Sequence, residues 1–211
     1  MKSETLQKRG KSAQAAAFVS WKIQRLTSAG NDSLSRANLA RLRRGIGKVP
    51  GSLPELWGLI FDGMPEDLAG LGNQPSWGEW ACYMSLTLFA LHQQGNDWKT
   101  ACMNLKGQSL GLAVRKLVQN EEDEDRVKRR FDRVVTSDSP EELAHHLRGL
   151  VQLLKAGNIP LDYPGLTQDL YRFLIPGQRD GVRLRWGRDF YVSTFSKALP
   201  SDTPSDSEKN A

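Results

Sequence analysis

Along most of the chain, apolar residues recur every three or four positions, the spacing of helices that bury one face. Between residues 12 and 27, Ala15, Phe18, Val19, Ile23 and Leu26 share one side, with Lys22 and Arg25 elsewhere on the circumference. Residues 34–44 predict a short helix with Leu39 and Leu42 inward and Gly45 as its C-terminal stop. A connection rich in glycine and proline follows (Gly45, Gly47, Pro50, Gly51, Pro54) and runs loosely to Pro75. Ser76-Trp77-Gly78-Glu79 has the form of a capping box. The helix it opens, as far as about Gln94, is apolar nearly all round and so belongs in the centre of the fold, with Gly95 ending it.

Ser109 is placed to cap a short helix reaching Val118. The acidic run Glu121–Asp125 leads into Arg126–Val135, where acids suit the helix dipole and Glu122–Arg126, Glu124–Lys128 and Asp125–Arg129 form i,i+4 pairs. Ser139-Pro140-Glu141-Glu142 reads as a second capping box, opening a helix whose stripe is Leu143, Leu147, Leu150, Val151 and Leu154. Beyond Pro160 and Pro164 come segments 164–174 and 182–196. Val182–Trp186 alternates as a strand would, yet Val182, Trp186 and Phe190 also fit i,i+4,i+8, and with no partner strand in sight helix is the better reading. The whole is therefore expected to be all-α, with a polar tail, residues 200–211, expected to be disordered.

Composition narrows the function more by distribution than by total. Hydrophobic residues make up 39% and charged residues 25% of 211, enough apolar material for a core. No apolar run reaches the length of a membrane-spanning helix and the N-terminus is polar, so a cytoplasmic protein without membrane contact is expected. Cys82 and Cys102, both in apolar surroundings, read as buried small hydrophobes rather than as metal ligands. The formal charge of +5 conceals a segregation. Residues 1–48 hold eleven Lys/Arg against Glu4 and Asp32, whereas residues 55–114 hold six acids against Lys99 and Lys106. Clustered positive charge is the footprint of a phosphate-binding surface.

Catalytic chemistry finds no constellation to run on. His145 and His146 are adjacent and point about 100° apart on a helix, unlike the i,i+4 pair of a helical zinc site. Nucleophile elbow, phosphate-cradling glycine loop and metal-carboxylate pair are all missing from the sequence, so neither enzyme activity nor a metal or other cofactor is expected. The arginines are more telling. Arg36, Arg41, Arg43 and Arg44 cover the polar side of one helix, with Lys48 beyond it. Arg126, Arg130 and Arg133 recur at i,i+4,i+7 beside the apolar stripe Val127, Phe131, Val134 and Val135, and Arg185 and Arg188 share a later face. One such stripe is the ordinary solvated side of a helix. Three in a small protein favour phosphate, for which the planar guanidinium fork is suited. The six tryptophans fall mostly at core-like positions, leaving no strand-borne aromatics to stack bases, so backbone tracking independent of base sequence is expected.

Six phrases occur in an order that resembles one family, the CasB small subunit of the type I-E CRISPR surveillance complex, Cascade. They are LARLRRG (39–45), LTLFALHQQ (86–94), SLGLAV (109–114), KRRFDRVV (128–135), LRGLVQLLKAGNIPLDYPGLTQDLYRF (147–173) and RLRWGRDFY (183–191). The resemblance implies a non-catalytic helical protein of two small lobes, here residues 1–110 and 111–199. It further implies two copies in the complex, holding an R-loop open by gripping DNA backbone, chiefly the displaced strand. Its partners would be other Cascade subunits, CRISPR RNA, target DNA and the second copy. The family's basic positions map onto Arg43, Arg44, Arg129, Arg130 and Arg148. Leu112 departs from the pattern, standing where the family carries a basic residue, with Lys106, Arg115 and Lys116 close enough in sequence to substitute. A purely architectural subunit, docking proteins through its arginines, and an independent RNA-binding regulator remain the alternatives.

Overall fold

The structure, a computed structural model, describes residues 10–28 and 32–198, with side chains as far as Tyr191. At its centre lies the helix that the sequence makes apolar on every side. This is α4 (Trp77–His92), numbered after α1 (Lys11–Ser28), α2 (Asp32–Arg44) and the single turn α3 (Trp57–Ile60). From Trp80 to Ala90 every α4 side chain is buried, because α1, α2, α7 (Pro140–Ala156) and α8 (Tyr163–Leu174) all pack around it. The remaining helices are α5 (Leu110–Arg115), α6 (Glu121–Thr136) and α9 (Arg179–Ala198). α1 lies along α8, α5 sits against α9, and α6 pairs with α7. One continuous apolar cluster runs from Ala15 through Phe89 and Leu147 to Phe190. Among the described residues there is no strand, only an isolated bridge between Asn104 and Leu161.

Val182–Trp186 is helical, and burial explains why: Val182, Trp186 and Phe190 all face the core, with Trp186 stacked on Phe173 at 5.6 Å. The expectation about residues 200–211 lies outside the described residues.

Several local expectations are corrected. Ser76 forms the full capping box, but Ser139 forms half of one. Its hydroxyl accepts from the Glu142 N–H, whereas the Glu142 carboxylate reaches one residue further back and accepts from Asp138. Gly45 ends α2 without a positive φ; the left-handed residue is Gly47 at +73°. Gly45 is glycine for room, since a Cβ there would meet the Tyr83 hydroxyl at 2.6 Å, and that hydroxyl donates to the Gly45 carbonyl. α5 stops at Arg115, short of Val118. The acidic start of α6 does not make the i,i+4 pairs anticipated. Instead Asp123 holds Arg126, Asp132 holds Lys128, and Glu124 turns across to Arg115 of α5. Trp80 and Trp186 are core residues, but Trp21, Trp57 and Trp77 are exposed and Trp98 is half-buried. Cys82 is buried and Cys102 half-buried.

Candidate nucleic-acid interface

The amphipathic pattern of α6 puts Val127, Phe131 and Val134 into the core, which leaves the arginines between them on the outer side. Asn120 opens the helix by accepting the Asp123 N–H at 2.9 Å, so the acids occupy the first turn and the arginines the next three. The short link 137–139 folds α7 back on α6 as a helical hairpin. Because Leu143, Leu147, Leu150 and Leu154 all point inward, the polar flank of α7 lies beside the arginine flank of α6. Between them runs a groove of about 360 Å³ lined by Arg126, Arg129, Arg130, Arg133, His145 and His146. Gly149 forms part of its wall, where a Cβ would meet nothing within 4 Å.

The charges along this groove are largely uncompensated. Arg126 is held by Asp123 at 2.5 Å, but among the described residues no carboxylate pairs with Arg129, Arg130 or Arg133. The two imidazoles meet edge to face at 5.2 Å, and His146 Nε2 lies 3.6 Å from Glu142. A concave row of guanidinium forks beside imidazoles offers hydrogen-bond donors of the kind that suits anionic oxygens.

A second basic concavity forms at α2. Arg36 and Arg43 line a groove of about 400 Å³ with Leu39 and the loop from Gln93 to Trp98. The Arg36 guanidinium lies 6.0 Å from the Trp98 ring centre, and partial burial lowers the Arg43 pKa from its ordinary value. Arg41 and Lys48 are exposed, and Arg44 is paired with Glu55 at 3.1 Å.

The other basic residues singled out in the sequence divide into exposed and internally engaged groups. Lys106, Arg148 and Arg188 are exposed. Arg115 pairs with Glu124 at 3.2 Å and lies over the Phe190 ring, and Lys116 donates to Gln108. Arg185 is ion-paired with the buried Asp169, which also accepts from the Trp186 indole. Arg179 and Arg183, flanking them in sequence, fasten α9 to its neighbours: Arg179 binds Asp138 and the Phe173 carbonyl, Arg183 the Val135 carbonyl. Sequence reasoning set His145 and His146 aside once a zinc pair was excluded, and thereby missed their place in the groove. Only the register of α7 against α6 reveals it.

Among the described residues, no three His, Cys, Asp or Glu gather as a metal site, and no helix is long and apolar enough to cross a membrane.

Comparison with known proteins gives a consistent result. The family model described as CRISPR-associated protein Cse2 matches residues 38–191. The crystal structure of CasB from Thermobifida fusca is 34% identical, with a TM-score of 0.70 over 84% of this chain and 97% of that one. A Cse2-family CRISPR-associated protein from Thermus thermophilus is 24% identical, with a TM-score of 0.60 and the same coverage. M. ruber CasB is 24% identical with a TM-score of 0.59, covering 76% of this chain and 87% of that one. At that identity the last two speak for the fold alone. No curated protein matches the chain in sequence.

Proposed function

The chain belongs to the CRISPR-associated Cse2 (CasB) family, and from that premise we propose that it is a non-catalytic cytoplasmic subunit of Cascade that stabilises the R-loop by gripping nucleic-acid backbone. The observation that supports this best is the α6–α7 groove, where Arg129, Arg130 and Arg133 face solvent without a carboxylate among the described residues. Guide pairing supplies sequence specificity in such complexes, and the exchange of a DNA duplex for an RNA–DNA hybrid is nearly balanced in free energy. A subunit that holds the displaced strand tips that balance without reading bases, and a few phosphate contacts suffice.

In this reading CRISPR RNA, neighbouring subunits and a second copy of the chain are its partners within the complex. The test is R-loop lifetime. Assembled complex carrying Arg129→Ala/Arg130→Ala should form a shorter-lived R-loop on a matched target, while the ranking of matched and mismatched targets stays the same. An unchanged lifetime would remove the reading.

Arg44, Arg115 and Arg185 are engaged by carboxylates of the chain itself, so under the architectural alternative too the groove arginines are the ones open to a partner. If the groove variants fail to enter the complex at all, the arginines dock protein.

A further inference from the structure

Between Lys48 and Lys99 the sequence contains no lysine or arginine and six acids. The same stretch carries four of the nine exposed large apolar side chains among the described residues: Val49, Trp57, Leu71 and Trp77. The loop Val49–Ser52, Phe61 and the strip from Gly70 to Pro75 enclose a groove of about 390 Å³. Trp57 is tied to its edge through an indole bond to the Gly51 carbonyl at 2.8 Å. Leu71 stands between two glycines of the rim, with 105% relative exposure, and Trp77 begins α4 two residues after Pro75. Val49 thus lines the groove, Trp57 bonds to a residue that does, and Leu71 and Trp77 lie next to or near such residues in sequence; four exposed large apolar side chains on one such stretch exceed the scattered exposure normal for a monomer.

The charge around this groove decides what it suits. Arg44 and Arg25, reaching across from α2 and α1, pair with Glu55 and Asp62. Glu66 and Asp67 are exposed on the turn that leads into Gly70, and no ion pair to either forms among the described residues. An acidic rim repels phosphate, so neither nucleic-acid backbone nor an anionic lipid surface fits it. Exposed indoles on a stretch that carries carboxylates unpaired among the described residues, and no lysine or arginine of its own, suit apolar side chains bordered by lysine or arginine, which gain both apolar burial and cation–π contact.

We infer that the face formed by residues 49–77 docks a neighbouring protein of the assembly whose contact surface is apolar and ringed by lysine or arginine. The inference rests on the reading of the chain as a subunit, but not on the arginine groove. Nucleic acid and protein then use separate faces, one basic and one acidic-aromatic.

Two substitutions at one exposed position separate apolar loss from charge. Leu71→Lys places a like charge against the partner, whereas Leu71→Glu removes the same apolar contact but adds an attractive charge. Glu66→Lys/Asp67→Lys reverses the rim independently. Each variant is first checked for an unaltered melting temperature. It is then mixed with the other complex components at equal input, the incorporated fraction is measured, and binding of the isolated chain to labelled single-stranded DNA is measured alongside. Leu71→Lys and the double reversal should lower incorporation about tenfold, since like charges in an interface cost on the order of one or more kcal/mol. Leu71→Glu should stay within about threefold of wild type, and none should weaken DNA binding. Normal incorporation of Leu71→Lys and of the double reversal overturns the inference. Equal damage from Leu71→Lys and Leu71→Glu overturns the cationic partner. Self-association of the isolated chain that Leu71→Lys abolishes makes the occupant a second copy and overturns it too. A wild-type chain that enters no complex removes the subunit reading, and the docking face with it.

Discussion

Asp169 shows how one buried side chain can hold two elements together. It sits on α8 with 6% of its surface exposed, accepts the Trp186 indole N–H at 2.7 Å and is ion-paired with Arg185, both on α9. Asp169→Ala would leave a fully buried indole donor and a half-buried guanidinium without their acceptor. The expected loss is about 3 kcal/mol, read as a fall in the urea midpoint, less than for a fully buried pair because Arg185 reaches solvent. Asp169→Asn keeps an acceptor for the indole and should cost about 1 kcal/mol. His92 makes a complementary case. It is fully buried at the end of α4, its Nδ1 3.0 Å from the Tyr163 hydroxyl, and burial pushes its pKa down to about 4. Nearby Lys155 pushes in the same direction, and the carbonyls of Ile159 and Leu154 oppose it. The imidazole is therefore neutral in the folded protein at neutral pH. Below pH 6.5 the unfolded chain takes up a proton that the folded chain resists until about pH 4, so stability falls through that window by up to about 3 kcal/mol. Urea titrations at pH 7 and pH 4.5 should show a larger drop for wild type than for His92→Gln. Equal drops would mean that His92 charges normally in the fold.

At the scale of elements, the two serine caps offer a matched comparison. Ser76 accepts from Glu79 N–H, Glu79 accepts from Ser76 N–H, and the serine hydroxyl also donates to the Leu68 carbonyl at 2.5 Å. Ser139 accepts one bond from Glu142 and stands exposed. Ser76→Ala should therefore cost about 2 kcal/mol and Ser139→Ala less than about 1 in thermal or urea unfolding. Equal losses would show that the Leu68 bond contributes nothing. Helices were legible in the sequence because a stripe such as Leu143, Leu147, Leu150 and Leu154 is a local property, and so is a serine three residues before a glutamate. What escaped was settled by distant neighbours. Gly45 looks like a helix stop and proves to be a space left for Tyr83. Glu124 looks like an i,i+4 partner and proves to be a tether for Arg115, nine residues away. Trp57 and Trp77 fit core spacing but lie where no element among the described residues covers them.

For the whole molecule, the same distinction governs the candidate site. Arg126, Arg130 and Arg133 were visible as a stripe, but their joining with His145 and His146 in one groove depends on how the hairpin of α6 and α7 closes. Likewise no spacing rule marks Arg185 as the partner of Asp169 sixteen residues earlier, although in sequence it looks as available as Arg130. The fold thus sorts a uniform set of arginines into free and engaged groups, and that sorting can be measured. Each phosphate contact to a single strand contributes about 0.7 to the slope of log affinity against log salt. Arg129→Ala/Arg130→Ala/Arg133→Ala removes three groove charges and should flatten the slope by up to about 2, leaving the melting temperature nearly unchanged because these side chains are exposed. Arg115→Ala/Arg185→Ala removes two arginines already held by Glu124 and Asp169. That variant should keep the slope and lower the melting temperature, since it strands a buried carboxylate. Titrating labelled single-stranded DNA across a salt series, with unfolding curves on the same samples, tests both halves together. If the engaged pair flattened the slope as much as the groove triplet, internal pairing would not predict which arginines reach phosphate. The α6–α7 groove would then lose its claim over the rest of the basic surface.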